Sequence, residues 1–204
     1  SSKRAGRRLE IGGLSASVEG SGRRPEIMVP MDDLRFPLGP FRPPAEFSVS
    51  IRGEFIEQIA DLPGLMREAV HRLSAEQLQT PYREGGWTLS QVVHHVPDSH
   101  ANAYVRCRLA LTEDEPTIKP YREDLWAELH DAASSDVEPS LALLDGLHRR
   151  WVSLLRRMTP EQWTLAFVHP ERGRVTLENN LALYAWHGRH HVAHITRLRQ
   201  RMGW

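Results

Sequence analysis

Only one of the 204 residues is cysteine, so Cys107 has no partner for an internal disulfide and no second thiol for a redox pair. Cys107 therefore reads as a small packing residue, and the chain as a cytoplasmic protein. Long apolar runs are missing too. None approaches the roughly 18 residues of a membrane span, and nothing resembles the apolar stretch of a signal peptide. Nor is there an excess of either charge: 26 Lys+Arg face 26 Asp+Glu, for a formal net charge of +0. That balance argues against a general nucleic-acid binder, which carries a basic surplus. The H-E-x-x-H motif that supplies a metalloprotease with its base is also absent.

Histidine, by contrast, is plentiful. Four of the 11 fall in the segment Trp186–His194, WHGRHHVAH. The pairs His187/His191 and His190/His194 have i,i+4 spacing, which puts both rings of a pair on one helix face. Neutral imidazole is the commonest metal ligand, and two of them one turn apart can hold a single ion. A third ligand must come from elsewhere. The adjacent His94 and His95 in GGWTLSQVVHHVPDSH are the other dense group.

Residues 1–27 are rich in Arg, Gly and Ser and contain no aromatic residue. They read as a disordered extension, upstream sequence before a start at Met28 or Met31, which places the boundaries at 1–30 and 31–204. Pro30, Pro37, Pro40, Pro43 and Pro44 then predict an extended lead-in. Four long amphipathic helices follow. The first is predicted over Ser50–Leu73, with Pro63 kinking or splitting it, and the second from a Thr88 N-cap to about Leu111. The third opens at Pro139 and reaches about Met158; the fourth runs from Leu177 to Met202 and stops at Gly203. Short helical turns are predicted after Ser74 and around Glu123–Leu129, with a turn or small hairpin over Phe167–Val175. The pattern is all-α, a four-helix bundle.

Phasing the fourth helix on Leu177, Leu181, Tyr184, Ile195, Leu198 and Met202 puts His191 at the centre of its apolar stripe, with His187 roughly 40° away. His194, about 60° off, is an alternative to His187 or a group behind the ligands; His190, about 100° off, is predicted to be solvated or against a neighbouring surface. Gly188, between the inward pair, makes room for a substrate or a neighbouring helix. On the second helix, His95 shares a polar face with Gln91, Asp98, Ser99, Asn102 and Arg106, and Pro97 disturbs the angles. Phase alone does not choose between His94 and His95. His100 and His169 have no spacing argument.

Three stretches, GGWTLSQVVHHVPDSHANAYVRCRLALTE, IKPYREDLWAEL and LENNLALYAWHGRHHVAHITRLRQRMGW, together with the lead-in RFPLGPFRPP, resemble the YfiT-type branch of the DinB superfamily. The resemblance runs from about Phe36 to the C-terminus. It implies a four-helix bundle holding one divalent metal, zinc or nickel, on three histidines. The family places the first ligand eight residues after a tryptophan, here Trp87 and His95, and the other two in an H-x-x-x-H after an aromatic residue, here Trp186, His187 and His191. Three protein ligands leave a position open, as a catalytic centre requires. The resemblance implies a metal-dependent hydrolase acting on a small molecule, and a homodimer. Transfer of a low-molecular-weight thiol to an electrophile is the second reading, and a metal-stabilised interaction bundle the third. Asp98 is the candidate base, and Asn102 and Arg106 are candidates for substrate binding.

Overall fold

The computed structural model describes residues 34–204, so the expected extension over residues 1–30 lies outside the described residues. Four long helices form the bundle: α1 (Val49–Val70), α3 (Leu89–Thr112), α5 (Glu138–Leu155) and α6 (Leu177–Met202). Two short helices, α2 (Ala75–Leu78) and α4 (Glu123–Trp126), lie in the connections. A 3-10 turn at Gln162–Thr164 leads into an antiparallel hairpin of β1 (Ala166–His169) and β2 (Gly173–Thr176), in which Phe167 pairs with Val175 and His169 with Gly173.

Local chemistry sets the helix starts. The Ser48 hydroxyl accepts from the Ile51 amide, and Thr88 and Gln91 form a reciprocal capping box at the head of α3. The Thr176 hydroxyl accepts from the Asn179 amide at the start of α6. Gly203 closes α6 with φ 71°, a left-handed conformation that glycine adopts without strain. Pro63 does not split α1, which continues to Val70.

Each long helix packs on two others. α1 lies against α5 and α6, and so does α3, which leaves α1 and α3 facing each other across the bundle. Two apolar clusters fill the interior. One contains Ile59, Cys107, Trp151, Leu181 and Tyr184; the other contains Leu62, Val93, Leu144, Ile195 and Leu198. Between them, three of the four helices contribute histidines instead of hydrocarbon: His95 and His100 from α3, His148 from α5, and His187, His191 and His194 from α6. The polar layer thus sits at mid-bundle, in the gap between two cores.

Gly188 belongs to this layer. A Cβ there would overlap Leu62 Cδ2 and stand 2.9 Å from Cδ1, so its role is close approach of α6 to α1. Met202, expected on the buried stripe, is 52% exposed. Among the described residues no helix is long and apolar enough to cross a membrane.

Candidate metal centre

One potential ligand atom from each of His95, His187 and His191 lies within 4.8 Å of the others. His95 Nε2 and His187 Nε2 stand 3.3 Å apart. Two imidazole nitrogens each about 2.0–2.1 Å from a tetrahedral zinc would be separated by about 3.3–3.4 Å, so this spacing fits one ion between them. The i,i+4 geometry brings the His187 and His191 rings to 4.5 Å, edge to face. Trp87 packs against His95 at 4.8 Å between ring centroids, which explains why a tryptophan two turns earlier accompanies that histidine.

The electrostatics favour neutral rings. Burial lowers His95 to about 4. His187 and His191 lie well below the usual histidine value, first through burial and then through neighbouring imidazoles. Among the described residues no carboxylate is hydrogen-bonded to the three rings or helps to hold a proton on them. Unprotonated nitrogens at neutral pH are what a divalent ion requires.

His94 does something else. Its Nδ1 meets Ser140 Oγ at 2.7 Å and its Nε2 meets the Ser134 carbonyl at 3.0 Å, so it ties α3 to the start of α5. Of the two positions expected for His190, in solvent or against a neighbouring surface, it takes the second. It is 6% exposed, stacked on Trp186 at 4.4 Å and covered by Phe36 at 6.2 Å. The lead-in folds back over that side of α6, which helix phase alone does not reveal. His194 stacks on Tyr82, with Nδ1 3.4 Å from His191 Nδ1.

His100 and His148 carried no assignment from spacing. His100 is fully buried and reaches His187 Nδ1 through Nε2 at 3.2 Å. Its Nδ1 meets His148 Nε2 at 2.9 Å, and His148 Nδ1 donates to the Ile59 carbonyl at 2.6 Å. For His148 a signal existed: it falls on the buried stripe of α5 between Leu144 and Trp151, where a hydrocarbon is expected.

The three-histidine group opens on a cavity of about 800 Å³, lined by His95, His187 and His191 together with Arg35, Arg83, Arg106 and Arg172. Arg106 and Arg172 stand near His169, and after burial their charges help to keep that ring's pKa below its ordinary value. Asp98 and Asn102 are not among the lining residues; the Asn102 amide donates to the Asp98 carbonyl at 2.9 Å. Burial raises the Asp98 carboxyl, with Asp131 adding to the effect.

Known proteins resemble this chain in sequence and fold. Two relatives, from Bacillus mycoides KBAB4 and Bacillus cereus B4264, are provisionally named metal-dependent hydrolases; each is 51% identical over 174 residues, covering 85% of this chain and all of the relative. A solved structure, YfiT from Bacillus subtilis, is described as a probable metal-dependent hydrolase with an unusual four-helix bundle topology. It superposes with a TM-score of 0.82 at 47% identity, over 84% of this chain and 99% of that one. Residues 58–195 match the DinB superfamily, and with the bundle and its histidine layer already in place, the chain belongs to that family.

Proposed function

We propose that His95, His187 and His191 hold one divalent ion, zinc first and nickel second, and that the chain is a metal-dependent hydrolase of small molecules. The observation that carries this reading is the convergence of three neutral imidazoles on the wall of an open cavity. Three protein ligands leave room for water or substrate, unlike a closed structural site. When bound, such an ion supplies Lewis acidity, lowering the pKa of water or a thiol and polarising the electrophile.

The chain's own residues do the rest. Arg106 and Arg172, beside His169, attract and orient a negatively charged portion of the substrate. The buried apolar clusters flank the histidine layer and limit its contact with water to the cavity side, which strengthens each polar interaction there. Asp98 and Asn102, off the cavity wall, make no contact with substrate in this reading.

The roomy cavity, whose lining has five arginines (Arg122 among them) against the carboxylates of Glu123, Asp124 and Glu171, also favours the second reading, transfer of a bulky anionic thiol to an electrophile. Purified protein with one ion loaded, assayed against ester and amide panels and against thiol–electrophile pairs, separates the two. Turnover in the first panel that is lost in His191→Ala supports hydrolysis; turnover only in the second supports transfer. A cytoplasmic homodimer completes the proposal. The buried Cys107 thiol suits a reducing compartment, and sedimentation equilibrium tests the dimer.

A further inference from the structure

Two chains of histidines run outward from the α6 ligands, and each ends on a backbone carbonyl. The first passes from His187 through His100 and His148 to Ile59 O; the second passes from His191 through His194 to Arg35 O, with His194 Nε2 3.2 Å from that oxygen. A carbonyl oxygen only accepts, and a neutral imidazole has one proton to give. The proton positions can therefore be counted inward from the ends.

On the first chain His148 must carry its proton on Nδ1 to meet Ile59 O, which leaves Nε2 as an acceptor. His100 then donates from Nδ1 and accepts at Nε2. His187 donates from Nδ1 in turn, and its Nε2 lone pair is free, 3.3 Å from His95 Nε2. The reverse polarity would set an unprotonated His148 nitrogen against the carbonyl oxygen at 2.6 Å, acceptor against acceptor. On the second chain His194 donates from Nε2 to Arg35 O and accepts at Nδ1, so His191 also donates from Nδ1 and frees Nε2.

The Ile59 oxygen is available for a sequence reason. Its helical partner would be the amide of residue 63, and Pro63 has none. The proline that threatens to break α1 thus creates a buried acceptor, and His148 satisfies it.

We propose that His100, His148 and His194 are positioning residues that hold His187 and His191 as Nδ1–H tautomers and present Nε2 to the ion, with Pro63 setting the polarity of the longer chain. The tautomer assignment stands on hydrogen-bond geometry; its consequence for affinity rests on the metal reading above. Neutral histidine in water favours the opposite tautomer, so the relays select the form that the centre uses.

Long-range proton–nitrogen correlation spectra of metal-free, 15N-histidine-labelled wild type test the assignment directly. Protonated Nδ1 is expected at His148, His100, His187 and His191, and protonated Nε2 at His194. A protonated Nε2 at His187 or His191 overturns the proposal. Zinc affinity measured calorimetrically gives the second readout. His148→Phe removes the acceptor for His100 and should weaken binding 10- to 100-fold, whereas His148→Gln restores an acceptor and should stay within about threefold of wild type. Equal affinity for all three proteins, each with a wild-type circular dichroism spectrum, overturns the role of His148. Should His148→Phe not fold, the wild-type spectra still decide. A wild type that binds no zinc contradicts the metal reading, while its spectra judge the tautomers separately.

Discussion

His148 Nδ1 donates at 2.6 Å to the carbonyl oxygen of Ile59, four residues before Pro63. The contact links a helix defect in α1 to the histidine layer through α5, and it accounts for a polar side chain only 1% exposed among hydrocarbon neighbours. An unpaired carbonyl and an unpaired imidazole at that depth would each carry a desolvation cost of about 1–3 kcal/mol. Paired, each removes the other's penalty. His148→Leu, which keeps a comparable volume but strands Ile59 O, should therefore lower unfolding free energy by about 2–3 kcal/mol in urea titrations. A loss below about 0.5 kcal/mol would mean that the carbonyl finds another donor.

Gly188→Ala tests how tightly α6 seats on α1. The added methyl collides with Leu62, itself 1% exposed and hemmed in by the core. Alanine gains about 1 kcal/mol in helix propensity, but overpacking costs about 1–3 kcal/mol, and the clash should win. We expect a lower thermal midpoint for the single variant. Combined with Leu62→Ala, the damage should be less than additive, since each substitution relieves the other. Strict additivity would show that the helices do not meet at this point.

Mild acid should unfold the metal-free protein. His95 and His148 are held at about 4 by burial, against about 6.5 in an unfolded chain. Between those values the unfolded state binds protons that the native state refuses, so stability rises with pH across that window and is fully present above about 6.5. Each such histidine costs about 1.4 kcal/mol per pH unit on the way down. The slope is only half developed at pH 6.5 itself, so these two rings together should cost metal-free protein about 2 kcal/mol between pH 6.5 and 5.5 in urea titrations, and almost nothing between 8 and 7. A flat profile from 6.5 to 5.5 would mean that these rings are not held neutral.

The parts of the molecule visible in sequence are those governed by local rules. Helix period and capping residues place all four long helices to within a few residues, from the Thr88 N-cap to Gly203. The apolar stripe of α6 singled out His187 and His191 as the inward pair. Between His94 and His95 local rules were silent, because α3 is buried nearly all round over Val92–Pro97 and an apolar stripe no longer marks a single inner face. There the Trp87 spacing of the family chose His95, the ring that stands beside His187. For His190 helix phase leaves solvent and a neighbouring surface both open, and the choice is made at long range: Phe36, far away in sequence, covers it. The relay through His100 and His148 needs all four long helices brought together, yet its outer end is written locally, in Pro63 and in a histidine on the core stripe of α5.

The neighbouring histidines of α6 offer the sharpest contrast for the centre itself. His191 and His190 are equally deep, at 9% and 6% exposure, yet they face different surroundings. His191 meets His95 at 4.9 Å between rings, whereas His190 stacks on Trp186 and its Nδ1 has no hydrogen-bond partner among the described residues. His191→Ala should therefore abolish stoichiometric zinc binding, measured by elemental analysis of protein purified without added metal or a histidine tag. His190→Ala should keep near one ion per chain. Because it removes a buried stacked ring, it should instead lower stability, by about 1–3 kcal/mol. Equal loss of metal in both variants would move the ligand set onto His190 and away from the inward face of α6. Retention in both would leave the ion, if any, held elsewhere.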